Sequence, residues 1–260
     1  MLPVDEIFGN TMQGEGSAMG YPSVFIRLGG CNLTCSGFGC QITSPLDKET
    51  IIKGCDSIHA VNVKHFKHTW SYYDNYIDLV KNIENCFGEN TKYSEKKDII
   101  ITGGEPILHY KDDVMIKMIE YFISRGHRVW IETNGTININ FDEYPIYKDI
   151  NFSMSVKMSN SSEPEHKRWK PDVVNNYLKN TKESYFKFVL TKEQCKINAP
   201  EVFDFLKQVP TFGLVYCMPM GETAKEVKEN SKTVFEFSAK YGFRYSDRLH
   251  IRIYNDLRGV

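Results

Sequence analysis

Residues 24–35 read Val24-Phe25-Ile26-Arg27-Leu28-Gly29-Gly30-Cys31-Asn32-Leu33-Thr34-Cys35. The apolar, β-branched first half is typical of a buried strand, and the glycines and cysteines after it indicate a loop at the end of that strand. Cys40 and Cys55 follow, so that four of the chain's seven cysteines lie in this region. Thiols at such spacing indicate a metal or cluster site before they indicate disulfides.

The composition excludes several classes of protein. The chain has 260 residues, 41% of them hydrophobic and 25% charged, and a formal net charge of -1. A net charge so close to zero does not indicate a protein that binds a nucleic-acid backbone or an anionic membrane. We therefore expect a small-molecule substrate and neither nucleic acid nor membrane as a partner. Residues 1–6 lack the pattern of a secretion signal, and no apolar run is long enough to span a bilayer. We therefore expect a cytoplasmic protein with reduced thiols.

Short apolar runs alternate with amphipathic segments along the chain. The runs predict strands over residues 24–28, 98–102, 128–132, 151–156, 184–190, 213–218 and 249–254. Helical spacing of apolar side chains predicts helices over 76–87, 115–122, 171–180, 200–209 and 222–241. This alternation is typical of parallel strands joined by crossovers. We expect an α/β fold, a partial (β/α)6-type barrel of mostly parallel strands, forming a single domain over 1–260 with an inserted loop near 36–72.

Some segments have plain structural interpretations. Met115 and Met118 share a helical face with other apolar residues, which predicts a place in the core. Residues 159–164 are polar and predict a surface loop. The histidines near the cysteine region lack the spacing of metal ligands, so we interpret them as solvated loop residues. They are His59, His65 and His68.

Polar motifs follow several of the predicted strands. They are Cys31, Gly103-Gly104-Glu105, Thr133-Asn134-Gly135, Ser155-Val156-Lys157 and Met218-Pro219-Met220-Gly221. Because ligands of parallel α/β folds lie at the carboxyl ends of the strands, we expect all of these motifs on one rim. A four-iron cluster held by three thiolates keeps one iron open for a chelating ligand. The rim is therefore the predicted functional site.

The chain resembles the radical S-adenosylmethionine superfamily at these positions, because Cys31-x3-Cys35 follows one strand and Gly103-Gly104-Glu105-Pro106 follows the next. The resemblance implies a barrel of the radical SAM type with a [4Fe-4S] cluster. It also implies that S-adenosyl-L-methionine (SAM) binds to the open iron and the Gly-Gly-Glu turn, where it is cleaved to a 5′-deoxyadenosyl radical. The cofactor's ammonium group would need a carboxylate such as that of Glu105.

Further motifs resemble those of the 7-carboxy-7-deazaguanine synthase family. They are Gln13-Gly14-Glu15-Gly16, Glu132-Thr133-Asn134-Gly135, Ser155-Val156-Lys157 and Arg248-Leu249-His250-Ile251. The resemblance implies a lyase that converts 6-carboxy-5,6,7,8-tetrahydropterin to 7-carboxy-7-deazaguanine with loss of ammonia, by hydrogen abstraction and ring contraction, in queuosine or other deazapurine biosynthesis. It further implies Mg2+, a homodimer, and an electron donor such as flavodoxin or ferredoxin.

The third cluster ligand has two candidates. The superfamily's usual Cys-x3-Cys-x2-Cys spacing is not kept, because Cys40 comes two residues too late and Cys55 follows a nineteen-residue excursion. In the family the third cysteine typically precedes Asp and then Thr or Ser, which Cys55-Asp56-Ser57 matches. We therefore expect Cys31, Cys35 and Cys55 to hold the cluster, with Cys40 as the alternative. Ser57 is then the Mg2+ candidate, since Mg2+ prefers oxygen ligands.

The resemblance also assigns residues to the organic ligands. The pterin would be bound by Met12, Gln13, Gly14, Glu15, Arg27, Thr102 and His250. SAM would be bound by Gly104, Glu105, Asn134, Ser155, Val156, Lys157, Met218, Pro219, Met220 and Gly221. The catalytic residues would be Glu15, Arg27 and Lys157. Plainer interpretations exist, in which 13–16 is a surface turn, Arg27 and Lys157 are solvated, and His250 is a buried structural residue.

Two other hypotheses account for the cysteines. A different radical enzyme, such as an activase that makes a glycyl radical on a partner, would share the cysteine loop and the Gly-Gly-Glu turn but would not need Glu15, Arg27 or Ser57. A zinc-stabilised binding module would instead place four thiolates around a structural ion. Those four would be Cys31, Cys35, Cys40 and Cys55.

Overall fold

The computed structural model describes residues 1–210 and 213–260. Its strands are β1 (Leu2–Met12), β2 (Pro22–Leu28), β3 (Cys40–Thr43), β4 (Ile51–Gly54), β5 (Ser71–Tyr73), β6 (Asp98–Gly103), β7 (Val129–Thr133), β8 (Asn151–Met154), β9 (Tyr185–Leu190), β10 (Leu214–Pro219) and β11 (Arg244–Tyr245). Its helices are α1 (Ile58–Val61), α2 (Val63–Phe66), α3 (Tyr76–Glu84), α4 (Asp113–Ser124), α5 (Glu165–Arg168), α6 (Pro171–Asn180), α7 (Lys192–Lys196), α8 (Pro200–Leu206), α9 (Ala224–Tyr241) and α10 (Leu249–Tyr254). Among these helices, none has both the length and the apolar character that crossing a bilayer requires.

Nine of the strands form one central sheet, in the order β11-β10-β9-β8-β7-β6-β2-β1-β5. Neighbours from β2 through to β11 are parallel. Strand β1 runs antiparallel to both β2 and β5. The predicted α/β fold with mostly parallel strands is confirmed, and the carboxyl ends of its parallel strands form one edge of the sheet.

The core lies between the sheet and the helices that connect its strands. Met115, Met118, Ile119 and Phe122 on α4 have no exposed surface, and they pack in the same apolar cluster as Ile101 of β6. The predicted core position of the two methionines is confirmed. An apolar stripe at helical spacing buries one face of α4 while its opposite face stays in water.

Strand β1 has no counterpart among the predicted strands. Its sequence carries the acidic residues Asp5 and Glu6, and Asn10 adopts a left-handed backbone with φ of 56°. The register against β2 shifts between Phe8 and Thr11, as at a bulge. Charge and irregular register together hide the alternation by which a strand is recognised.

The expected strand over 249–254 is wrong, because these residues form helix α10. Leu249, Ile251 and Ile253 alternate with polar residues, which is typical of a strand. Only Ile251 of the three is buried, and Ile253 is 62% exposed. The backbone N–H of Arg252 donates to the carbonyl of Arg248 at 3.0 Å, a helical hydrogen bond.

Residues 36–72 contain regular structure of their own. Strands β3 and β4 pair as an antiparallel hairpin, and a small apolar cluster forms around Trp70. The interpretation of His59 as a solvated residue is wrong, because its side chain is buried and its Nδ1 lies 2.6 Å from Oδ2 of Asp5. Nδ1 of His65 lies 2.8 Å from the Ser44 hydroxyl, whereas His68 is exposed, as expected.

We predict that Ile119→Ala destabilises the protein by about 2–5 kcal/mol, because it opens a cavity in a fully packed core. The control is Ile77→Ala on α3, whose side chain is 57% exposed and whose loss should change the free energy of unfolding by less than about 0.5 kcal/mol. Denaturant unfolding followed by circular dichroism measures both. Equal effects would mean that α4 does not pack as described.

Candidate active site

The register of the sheet lines up a row of polar residues on one face. Arg27 of β2 lies beside Thr102 of β6 and opposite Glu6 of β1, and Glu132 of β7 lies beside Ser153 of β8. Two residues earlier along β2, β6 and β7, the same face carries Phe25, Ile100 and Trp130, which form an apolar cluster with Tyr185 of β9 and Tyr216 of β10. The polar row therefore lies beside an apolar cluster on the same face, towards the carboxyl ends of the parallel strands.

Glu15 is the central charge of this face. Its side chain is buried, with Nζ of Lys187 at 2.6 Å and Nε of Arg248 at 3.0 Å. Burial alone would raise the pKa of Glu15, but the two cations outweigh it and hold the pKa well below its ordinary value. Lys187 also lies 3.8 Å from Glu132. Glu15 is thus an ionised carboxylate at neutral pH, and it is held in place from two sides.

Arg248 joins three segments around Glu15. Its Nη2 lies 2.8 Å from Oδ2 of Asp56, and its Nη1 donates to the carbonyl of Gly221. Burial acts to raise the pKa of Asp56, but Arg248 prevails and lowers it to about 2. The segment next to Cys55, the end of β10 and the carboxyl-terminal helix therefore meet at one guanidinium group.

Sequence reasoning missed Lys187 as a site residue. A signal was present, because Lys187 is the one charged residue in the otherwise apolar or aromatic strand β9. Alternation places it on the same face as Tyr185. Asp56 and Arg248 lie within two of the predicted motifs but have no predicted role of their own. Nothing in their spacing indicates that they pair across 192 positions.

The residues predicted for the pterin lie around this network. Gln13 donates to Glu132 at 3.4 Å and accepts from the backbone N–H of Glu15 at 3.1 Å. Thr102 donates to Glu132 at 2.9 Å. Gly14 packs so closely on His250 that a β-carbon there would lie 2.3 Å from the imidazole Nδ1. The structure thus brings Gln13, Gly14, Thr102 and His250 together, while Met12 is 49% exposed.

Arg27 is not a solvated edge residue. Its Nε donates to Glu6 at 2.7 Å, and its Nη1 donates to the Ser57 hydroxyl at 3.0 Å. The hydroxyl of Ser57 in turn donates to Asp56 at 3.3 Å. Arg27 and Ser57, predicted separately for substrate and metal, are therefore direct neighbours.

Three cysteines of the predicted set influence one another electrostatically. Burial, then Glu105, raises the pKa of the Cys31 thiol to about 12, with smaller effects from Cys35 and Cys55. Burial, then Asp56, raises the pKa of Cys55 to about 12, and Cys35 adds to the increase. For Cys40 burial comes first, followed by Asp56 and Glu222, with a smaller effect from Cys55. Cys55 therefore influences both Cys31 and Cys40, and Cys35 influences both Cys31 and Cys55.

The spacing of the sulfur atoms does not suit zinc. Four sulfurs at about 2.3 Å from a tetrahedral zinc ion lie about 3.8 Å from one another. Within the described residues, the one group of three potential ligand atoms within 4.8 Å of one another is Asp5, Glu6 and His59, which contains no cysteine. The zinc-module hypothesis is therefore not favoured.

The Gly-Gly-Glu turn packs directly against the cysteine loop. The backbone N–H of Glu105 donates to the carbonyl of Gly30 at 2.8 Å. A β-carbon on Gly104 would lie 2.1 Å from that same carbonyl oxygen and 2.9 Å from the β-carbon of Cys31. Only glycine permits this close approach of the turn to the cysteine loop.

The carboxylate of Glu105 is bound within the protein. It is completely buried and accepts hydrogen bonds from the Thr133 hydroxyl at 2.7 Å, the Asn134 backbone N–H at 2.7 Å and the Ile107 backbone N–H at 3.0 Å. The side chain of Asn134 donates to Asn32 of the cysteine loop at 2.9 Å. Glu105 therefore joins the ends of β6 and β7 to each other, and Asn134 joins them to the loop.

The other residues predicted for SAM lie at the ends of β8 and β10. Nζ of Lys157 donates to the Ser155 hydroxyl at 3.0 Å, and its charge acts to lower the pKa values of Cys35 and Cys55 against the larger effect of burial. Met218 and Val156 are buried. The carbonyl of Met220 accepts from Asn230 at 2.7 Å, and Pro219 ends the strand before Gly221.

The expected surface loop over 159–164 is wrong in part. Ser161 has no exposed surface, and Glu163 is only 9% exposed. Oε1 of Glu163 accepts from the backbone N–H of Thr34 at 2.6 Å and from that of Cys35 at 2.8 Å. These bonds span more than a hundred positions, so the polar composition of the segment alone could not reveal them.

We predict that Lys187→Met destabilises the protein by about 3–5 kcal/mol at pH 7, because it removes one of the two cations that pair with the buried carboxylate of Glu15. Glu15, whose pKa is lowered in the folded protein, stabilises the wild type above its unfolded pKa, and this contribution disappears as pH falls through the folded pKa. The deficit of the variant should therefore be constant near neutral pH and shrink only as pH falls below the ordinary pKa of glutamate, about 4.5, towards the lowered pKa of folded Glu15. The matched control, Lys117→Met, removes an exposed pair with Asp113, and we expect no measurable effect. Urea unfolding across this pH range is the measurement, and a deficit independent of pH would contradict the ion-pair explanation.

Comparisons with known proteins agree with this geometry. Residues 12–177 match the model of a family described as a 4Fe-4S single cluster domain. The 7-carboxy-7-deazaguanine synthase of Halobacterium salinarum is 28% identical over 98% of this chain and 91% of its own length. The enzyme of that name from Methanospirillum hungatei is 34% identical over 62% of this chain and 53% of its own. The predicted resemblance to this family is therefore confirmed.

A solved structure shares the fold. The crystal structure of QueE from Escherichia coli aligns with a TM-score of 0.62, covering 96% of this chain and 94% of that chain at 19% sequence identity. The predicted α/β architecture with mostly parallel strands agrees with this neighbour. Because the family match covers more than half of the sequence and includes the whole cysteine loop, the chain belongs to the 4Fe-4S single cluster domain family.

Proposed function

We propose that the chain is a 7-carboxy-7-deazaguanine synthase, which converts 6-carboxy-5,6,7,8-tetrahydropterin to 7-carboxy-7-deazaguanine with loss of ammonia. One observation carries the proposal: the cysteine segment and the buried polar face meet at the same rim, where Arg248 bonds Asp56 and Glu15 together. Curated relatives of that name match over almost the whole chain, which supports the same conclusion. The alternative of a glycyl-radical activase explains neither the buried Glu15 network nor those relatives.

The residues present fit a [4Fe-4S] cluster. Cys31, Cys35 and Cys55 supply thiol ligands, and three protein ligands leave a fourth iron for SAM. When bound, the cluster supplies the electron and SAM supplies the radical that begin the reaction. Because the thiol pKa values of Cys31 and Cys55 are raised to about 12, cluster assembly must release their protons.

We assign SAM to the rim next to these cysteines. Gly104 lies in the turn that packs on the cysteine loop, and Lys157 carries a charge near the cysteines. Glu105 contributes mainly by fixing the turn, since its carboxylate already accepts three hydrogen bonds. The other proposed contacts are Asn134, Ser155, Val156, Met218, Pro219, Met220 and Gly221.

The pterin would lie against the apolar cluster, next to the polar row. Glu15 is ionised and can accept hydrogen bonds from the amide and amino edges of a fused heterocycle, while Arg27 can bind its carboxylate. Gln13 and His250 lie next to Glu15, Gly14 packs on His250, Thr102 bonds to Glu132, and Met12 lies at the end of β1. The proposed catalytic residues are Glu15, Arg27 and Lys157. Their charged side chains would orient the substrate.

We also propose Mg2+ at Ser57. Its hydroxyl lies within hydrogen-bond distance of both Arg27 and Asp56, so a cation there would have oxygen ligands close to the proposed position of the substrate carboxylate. The remaining proposals are an electron donor such as flavodoxin or ferredoxin, a homodimer and a cytoplasmic location. The free thiols of all seven cysteines suit a reducing compartment.

The proposed function predicts turnover by the reconstituted protein. After anaerobic loading with iron and sulfide, and with SAM, Mg2+ and a reductant, the chain should convert carboxytetrahydropterin to 7-carboxy-7-deazaguanine, which mass spectrometry detects. Omission of SAM is the control and should abolish the product. A fully loaded protein that yields no product would refute the assignment.

The choice of third ligand predicts different outcomes for two variants. Cys55→Ala should lower iron per chain by more than half and abolish product, because it removes a cluster ligand. Cys40→Ala should keep both, because Cys40 is outside the proposed ligand set and is a buried residue at the base of the β3–β4 hairpin, paired with Gly54. Iron, sulfide and product are measured in parallel. A Cys55→Ala variant with a full cluster would overturn both this ligand and the Ser57 site.

A further inference from the structure

One buried carboxylate holds the cysteine loop from the side. Besides the two backbone N–H groups of Thr34 and Cys35, Oε1 of Glu163 accepts the Thr34 hydroxyl at 2.8 Å. Three donors thus converge on one carboxylate oxygen, directly at the second cysteine of the proposed cluster set.

The segment that carries Glu163 is itself fixed. The backbone N–H of Glu163 donates to the Ser161 hydroxyl at 3.3 Å, and its carbonyl accepts from the buried Arg168 at 3.1 Å. On the other side, Gly37 packs so tightly that a β-carbon there would lie 2.3 Å from the carbonyl oxygen of Asn160. The carboxylate is therefore presented by a rigid support and not by a mobile loop.

Glu163 determines where the loop's N–H groups point. Cys35 has a left-handed backbone with φ of 48°, a conformation that is costly for a residue with a β-carbon. The hydrogen bonds from Thr34 and Cys35 to Glu163 help to stabilise it. In the same loop, Leu33 donates its N–H to the sulfur of Cys31 at 3.4 Å, so two neighbouring donors are directed to a carboxylate instead of to sulfur.

The charge of Glu163 and its hydrogen bonds to the loop shift the reduction potential of a bound cluster in the same direction. The reduction potentials of iron-sulfur clusters depend on net charge and on hydrogen bonds to the sulfurs. A carboxylate beside the loop adds negative charge, and the N–H groups of Thr34 and Cys35 that it binds are not available to the cluster sulfurs. Each effect makes reduction harder and the reduced cluster a stronger electron donor. Lys157, on the other side of Cys35, opposes the first effect.

We propose that Glu163 is a positioning residue of the cluster loop, which holds Cys35 in its ligating conformation and keeps the reduction potential of the cluster low. The inference rests on the proposed function in one respect, the placement of the cluster on Cys31, Cys35 and Cys55. It concerns a residue outside the cysteine and Gly-Gly-Glu motifs. The ligand that Glu163 helps the loop to bind is an iron-sulfur cluster with an open iron.

The test compares Glu163→Gln and Glu163→Ala with Glu165→Gln in the full chain. Glu165 is exposed two residues away, so its variant removes the same charge without touching the loop. After anaerobic reconstitution with iron and sulfide, iron per chain is measured, and the midpoint potential is obtained by redox titration followed by electron paramagnetic resonance. Glu163→Gln can still accept a hydrogen bond, so it should keep its iron but show a higher potential. Glu163→Ala should lose at least half of its iron.

Hydrogen exchange in the cluster-free protein gives a second measurement. The amides of Thr34 and Cys35 should exchange faster in Glu163→Ala than in the wild type, and Glu165→Gln should leave them unchanged. A Glu163→Gln variant with the potential of Glu165→Gln would overturn the electrostatic role. Unchanged iron content and exchange in Glu163→Ala would overturn the positioning role.

The outcomes also separate this inference from the proposed function. If the wild type holds a cluster but converts no pterin, while Glu163→Gln still raises the potential, the proposed function fails and the inference stands. If the wild type converts pterin and the Glu163 variants behave like Glu165→Gln, only the inference fails. A wild type that binds no cluster through these cysteines would overturn both.

Discussion

A buried carboxylate needs cations, and in this protein the cations for Glu15 come from distant parts of the chain. Lys187 belongs to β9 and Arg248 precedes α10, so the pairs span 172 and 233 positions. Leaving any of these charges buried without its partner costs several kcal/mol. The segment before β2, the centre of the sheet and the carboxyl-terminal helix must therefore come together for the face to form. The polar site and the fold are consequently stabilised as one unit.

The sequence predicts the parts of the structure that are governed by local pattern. Buried strands such as β6 and β9 are apolar along their length, and the α4 stripe follows helical spacing, so their positions follow from periodicity alone. Helix α10 shows the limit of that reasoning. Its residues alternate as in a strand, yet only Ile251 of its alternating apolar residues is buried. Whether an alternating segment pairs with a sheet depends on an available edge, and no local pattern records that.

The site is predictable to the extent that it consists of strand ends. The contact of Gly104 with the cysteine loop follows from parallel strands ending at one rim, as expected. Which charged side chains pair with each other does not follow from the positions of the strand ends. Lys187, Asp56 and Glu163 each act on a residue that is far away in sequence, and a single sequence contains no signal for such pairs. The same limit applies to the bonds that the carboxylate of Glu105 accepts from Thr133 and Asn134.

The hairpin β3–β4 separates the second cysteine of the proposed ligand set from the third. Cys40 pairs with Gly54 at its base, so the hairpin closes the excursion that begins after Cys35 and returns the chain to Cys55. Extra residues at the tip would leave the base, and with it the distance between the two ligands, unchanged. Each doubling of loop length costs only about 0.6 kcal/mol in closure entropy. The spacing of the cysteine motif is therefore free to drift during evolution, because pairing between the two strands, and not the number of residues, sets where the third thiol lies.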